Sequence, residues 1–179
     1  MARLRILAPL TALVVVLVAA GVAKPSGDPP PSGPAATFQV DGTVAKPLTL
    51  TVDDLRALPK QRVKVSFESA AGTQHHVYKG PLLYDVLAQA GPTFDPAVKN
   101  DALRHVVAVT GSDGYTAVVS WGEIDPGFAG RPILLATSED GRPLDTDGPR
   151  LVVPGDVKGG RYVTNVVDVK LVNAAPSGS

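Results

Sequence analysis

The sequence predicts an α+β fold, a mixed β-sheet system with short peripheral helices. Three observations carry this. Apolar and polar residues alternate over short runs, as where Val63, Val65 and Phe67 sit between Arg62, Lys64 and Ser66, the two-residue period of a strand with one wet face. One segment instead spaces its apolar residues as a helix does: Leu82, Leu83, Val86, Leu87 and Ala90 form a single stripe. Helical and strand-like segments also fail to alternate regularly, which excludes a doubly wound parallel sheet.

Taken in order, Phe38 to Val40 and Leu48 to Leu50 read as short strands. Thr51 is placed to cap a helix from Val52 to Leu58, with Asp54 at the capping-box position and Pro59 as the stop. The strand around Val63 to Phe67 is followed by Gln74 to Tyr78, which pairs back on it as a hairpin. Pro81 is suited to the first position of the amphipathic helix, and Gly91-Pro92 ends it. Arg104 to Thr110 is a buried strand, and the Gly111-Ser112-Asp113-Gly114 turn leads into Tyr115 to Ser120. Ile133 to Thr137 is a further buried run, and Glu139-Asp140-Gly141 turns it toward Pro143 and Leu144. Arg150 to Val153 and Tyr162 to Val172 are the last strands, read as a hairpin across a glycine-rich turn.

The flanks read differently. Arg3 and Arg5 precede an uncharged run from Ile6 to Ala23 that ends in small residues, the order of a secretory signal peptide. Residues 1–23 are therefore expected to be a signal peptide cleaved near Ala23, placing the protein outside the cytoplasm: periplasmic, extracellular or in the cell envelope. An uncleaved run would be just long enough to anchor it in a membrane. Residues 24–36, "KPSGDPPPSGPAA", form a Pro/Gly/Ser-rich linker. The folded domain is expected over 37–173, followed by a flexible tail over 174–179.

Composition narrows the chemistry. The chain of 179 residues has no cysteine, hence no disulfide and no thiolate, and no haem is expected. Without Arg3 and Arg5, 15 of the 17 Lys and Arg remain against 17 Asp and Glu, which argues against nucleic acid as a partner. The glycines of the final turn lack phosphate-loop spacing, and no Gly-x-Ser-x-Gly elbow is present. His75 and His76 are strand neighbours that point to opposite faces, and His105 begins a buried strand. No carboxylate pair, nucleophile or metal site is placed by spacing.

The turn in "RLVVPGDVKGGRYVTNVVDVKLV" stands out, with Gly155, Lys158, Gly159, Gly160, Arg161 and Tyr162 close together. It supports two readings: a plain connection between strands, or a cradle of backbone N–H groups and fixed cations for an anion.

The chain resembles the molybdopterin-binding domain of the sulfite oxidase family, in a small, exported, stand-alone form. The likeness is carried in order by "PLTLTVDDLRALP", "VYKGPLLYDVLAQAG", "VVAVTGSDGYTAVVSWGEI", "RPILLATSEDGRPL" and "GPRLVVPGDVKGGRYVTNVVDVKLV". The resemblance implies a molybdopterin cofactor whose anionic part lies against Gly155 to Arg161, with Lys158 and Arg161 supplying charge. Arg150 and Arg104 are further candidates, and Tyr115 and Tyr162 would flank a planar ring. In catalytic members a cysteine before the Gly-x-Pro-Leu helix completes the ligation of molybdenum. The matching segment offers only Ser66, Glu68 and Ser69, poor substitutes for a soft thiolate. Full-length members place a Lys-Trp pair after the glycines, where this chain has Arg161-Tyr162. Three functions are open: a non-catalytic module that binds a pterin or small anion, a molybdenum-dependent oxidoreductase with a non-cysteine ligand, or an interaction domain that has lost the cofactor site. No protein partner is specified by the sequence.

Overall fold

The computed structural model describes residues 37–175. The expected signal peptide, the linker and most of the tail lie outside these residues. Among the described residues no helix is long and apolar enough to cross a membrane.

The element order is β1 (Phe38–Gly42), β2 (Leu48–Leu50), α1 (Val52–Ala57), β3 (Gln61–Ser69), β4 (Gly72–Gly80), α2 (Leu83–Ala90), β5 (His105–Gly111), β6 (Thr116–Ser120), α3 (Trp121–Ile124), β7 (Leu134–Ala136), β8 (Ser138–Glu139), β9 (Arg142–Pro143), β10 (Arg150–Val152) and β11 (Val166–Asn173). Single 3-10 turns cover Asp101–Arg104 and Gly159–Arg161. A five-stranded sheet runs β2-β1-β11-β5-β6, a four-stranded one runs β3-β4-β8-β9, and β7 pairs with β10. Among the paired strands of the described residues, β1 and β11 alone are parallel, so the sheet system is mixed and the α+β expectation holds.

Local signals place most elements. Asp54 N–H donates to Thr51 Oγ1 at 3.2 Å, and Thr51 N–H donates to Asp54 Oδ2 at 2.7 Å, closing the expected capping box of α1. The Thr51 hydroxyl, donating to Asp54 Oδ2 at 2.7 Å, and then the Thr51 N–H hold the Asp54 carboxyl below its ordinary value. Thr51→Ala is expected to cost about 1 kcal/mol in a urea unfolding titration; no change would show that α1 is held by packing alone. In α2, Leu83, Val86, Leu87 and Ala90 are buried and Gly91 closes the helix in the left-handed conformation. The helix starts later than Pro81 predicts, because Leu82 bridges to Leu134 and Leu83 N–H donates to the Ile133 carbonyl.

The core has two compartments. The larger gathers Phe38, Val107, Val109, Val169 and Leu171 from the five-stranded sheet with the apolar face of α2. The smaller gathers Val65, Tyr78 and Leu144, with Phe67 and Tyr162 against it. The β7–β10 ribbon serves both: Leu135 and Leu151 enter the first, while Leu134, Ala136 and Val152 enter the second. This is the strand period at work, with both faces buried.

The expected closing hairpin is not formed. β10 pairs with β7, while β11 pairs with β1 and β5. The final strand begins at Val166 rather than Tyr162 because Tyr162 turns inward to the smaller core. Only two backbone bonds tie the two stretches, Leu151 N–H to Val163 O and Val166 N–H to Pro149 O.

Candidate functional site

The glycine-rich segment therefore crosses between sheets. It lies against the end of β3: Glu68 N–H donates to Val157 O at 2.8 Å, and Glu68 and Lys158 form an isolated parallel bridge. A Cβ placed on Gly159 would stand 2.7 Å from Phe67 Cε2 and 2.8 Å from Phe67 Cδ2. Gly159 is thus required by an aromatic ring of the chain itself. Gly155 takes φ +92°, and a Cβ there would meet Arg131 at 3.2 Å, so both conformation and space favour glycine. Gly160 meets no such limit.

Phe67 belongs to a group of four rings. It lies 4.4 Å from Tyr162 and 6.0 Å from His76, and Tyr78 lies 5.7 Å from His76 and 6.2 Å from Tyr162. Tyr162 donates its hydroxyl to Val153 O at 3.2 Å. It is half-buried and packs against the smaller core. Burial pushes the phenols of Tyr78 and Tyr162 up from 10.0 to about 12, with the negative charge of Asp156 adding to the rise at Tyr162. The folded state therefore holds these protons more tightly than the unfolded chain. Their contribution is whole below the unfolded value and is lost as pH rises through the folded one. Urea unfolding across this alkaline window should show stability falling with pH; a flat profile would contradict the burial of both phenols.

Arg161, one of the turn's two cations, is engaged with acids of the chain. Arg161 donates Nε–H and Nη2–H to Asp156 at 2.8 and 2.6 Å and lies 3.4 Å from Glu123 Oε1. Arg131 joins the same group, donating to Glu123 at 2.9 Å and to the Pro154 carbonyl at 2.8 Å. Glu123 is fixed by accepting the Ser120 N–H at 3.0 Å. Arg131 and Glu123 were missed by sequence reasoning; Ser120-x-x-Glu123 is a capping-box pattern that could have placed the acid.

The other candidates separate. Arg150 donates to Glu139 Oε2 at 2.5 Å and to the Tyr78 hydroxyl at 3.2 Å, behind the ring group. Tyr115 is half exposed and donates its hydroxyl to Gly160 O, which holds it over the turn. Lys158 is exposed and makes no ion pair among the described residues. Arg104 pairs with Asp101 at 3.7 Å on the 3-10 turn before β5 and takes no part in the cluster. The structure thus joins Arg161, Tyr162, Tyr115 and the glycines, and leaves Arg104 apart.

A second group was invisible in the sequence. The β8–β9 turn, with Asp140 and Gly141 both at positive φ, suits a two-residue hairpin. It folds back on β4 and sets Glu139 and Asp140 beside His76, at 3.1 and 2.8 Å from Nδ1. His75 stays exposed. His105 is buried, its Nδ1–H donating to Asp101 O at 2.9 Å.

A family model described as the oxidoreductase molybdopterin binding domain matches residues 29–178. Among solved structures, the sulfane dehydrogenase SoxCD from Paracoccus pantotrophus is similar in fold, with a TM-score of 0.63 and 22% identity. The match covers 80% of this chain and 39% of that one, so this chain spans about two fifths of its length. No curated protein matches the chain. With a family match over residues 29–178, most of its length, the chain belongs to the oxidoreductase molybdopterin binding domain family.

Proposed function

We propose that this protein is an exported, non-catalytic member of its family that acts as an interaction domain, its cofactor cleft filled by its own side chains. The observation that carries the reading is Phe67 packed on Gly159. In the family pattern, the strand before the Gly-x-Pro-Leu helix supplies the metal's cysteine and the glycine turn faces the pterin. In this chain those two segments touch, through the Glu68 N–H to Val157 O bond and the Phe67 ring. The residues present do not fit the group. The chain offers no thiolate, and Arg161 and Arg150 are each bound to a carboxylate of the chain. A pterin at the turn would require Arg161 to release Asp156 and Phe67 to leave Gly159.

Export is supported by the basic, apolar, small-residue order of residues 1–23. N-terminal sequencing of protein recovered from outside the cytoplasm should read from about Lys24. An intact Met1 in the membrane fraction would overturn cleavage.

The cofactor reading is tested by exporting the protein from a host that makes molybdenum cofactor, then measuring molybdenum and oxidised-pterin fluorescence together. Neither should exceed the level of an unrelated exported protein. Pterin without molybdenum would establish the small-ligand module instead, and both in equal amount would establish an oxidoreductase with a non-cysteine ligand.

A further inference from the structure

We propose that His76, Glu139 and Asp140 form a binding site for one divalent transition-metal ion of the zinc type. Each residue offers one ligand atom, and the three atoms lie within 4.8 Å of one another. His76 Nδ1 stands 2.8 Å from Asp140 Oδ2 and 3.1 Å from Glu139 Oε1. Zinc binds imidazole nitrogen at about 2.0–2.1 Å and carboxylate oxygen at about 2.0–2.2 Å, in a tetrahedron. Such bonds set neighbouring ligand atoms roughly 3.3–3.5 Å apart. An opening of a few tenths of an ångström between the imidazole and the carboxylates would therefore admit the ion.

The ligands are held from behind, as metal ligands need to be. Val77 N–H donates to Asp140 Oδ1 at 2.8 Å. Tyr78 O–H donates to Glu139 Oε1 at 2.8 Å, and Arg150 binds the outer oxygen, Oε2, at 2.5 Å. The His76 ring packs near Phe67 at 6.0 Å and Tyr78 at 5.7 Å between ring centres. Asp140 sits at φ +49° in the β8–β9 turn, which fixes its side chain beside the strand.

The fourth position opens to solvent. A cavity of about 400 Å³ borders the three ligands, with Arg142, Thr146 and Asp147 on its rim, leaving room for water or an anionic co-ligand. One imidazole and two carboxylates make a borderline-to-hard donor set. That set suits Zn²⁺ and its neighbours and disfavours soft Cu(I).

The test is calorimetric titration of the exported protein with ZnCl₂ in a non-chelating buffer near neutral pH. One ion per chain should bind, and Co²⁺ in its place should give the visible absorption band of a low-symmetry site. His76→Gln and Asp140→Asn should each weaken binding by about tenfold to a hundredfold, the range that loss of even a supporting partner produces. Asn tolerates the left-handed backbone at position 140, so Asp140→Asn removes the charge and keeps the turn. His75→Gln, on the opposite strand face, should bind as the parent does. Urea midpoints of the variants confirm that they fold. Absence of one-to-one binding by the parent, unchanged binding by His76→Gln, or a comparable loss in His75→Gln would each overturn the site.

Discussion

Arg150→Ala is expected to destabilise the domain by about 2–3 kcal/mol, below the ~3–5 kcal/mol of a fully buried broken pair because both partners keep some solvent. Arg150 and Glu139 are 21% and 20% exposed. The arginine satisfies Glu139 Oε2 and lies 5.9 Å from the Tyr78 ring centre. Its loss leaves a half-buried carboxylate next to Asp140 and a buried phenol with one partner fewer. A receptor arginine waiting for an external anion would behave in the opposite way. Its removal would leave the free protein as stable as before, or more so, and would cost only ligand affinity. Urea unfolding of the parent, Arg150→Ala and Glu139→Gln decides between the two. An Arg150→Ala midpoint equal to the parent's would return this residue to the anion-binding reading.

Gly159→Ala is expected to cost about 1–3 kcal/mol, the range for overpacking a filled site. The new methyl group would fall within 2.8 Å of two Phe67 ring carbons, and the ring is held by Tyr162 and His76 on its other contacts. The same substitution in a Phe67→Ala background should cost much less, giving a coupling of about 0.5–3 kcal/mol between contacting residues. A glycine kept for close approach to a cofactor would accept Ala freely in the unliganded protein. Additivity of the two substitutions would mean that ring and glycine do not touch.

What the sequence made legible was local. The Thr51–Asp54 capping box, the alternation along β3, the stripe of α2 and the Asp-Gly turn after Glu139 are each written within a few residues of one another. The partners of strands are not. Two apolar runs across a glycine turn read as a hairpin, yet β10 found β7 and β11 found β1 and β5, because the deciding surfaces are the two core compartments. The same limit hid the site. Glycine and cation content near Gly155 to Arg161 was visible, but Phe67 lies some ninety positions earlier and nothing local points from one to the other. Asp156, inside the turn, was the available warning that Arg161 has a partner at hand. His76 and Asp140 are 64 residues apart, and only the β4–β8 pairing joins them.

The central claim is that the glycine turn faces a ring of this chain. The most direct measurement is the nuclear Overhauser contact between the Gly159 α-protons and the Phe67 ring, followed during titration with a phosphorylated pterin. The account predicts strong contacts, α-protons shifted upfield by the ring, and no change as pterin is added. Gly159 resonances without contacts to Phe67, moving and saturating with pterin, would contradict it.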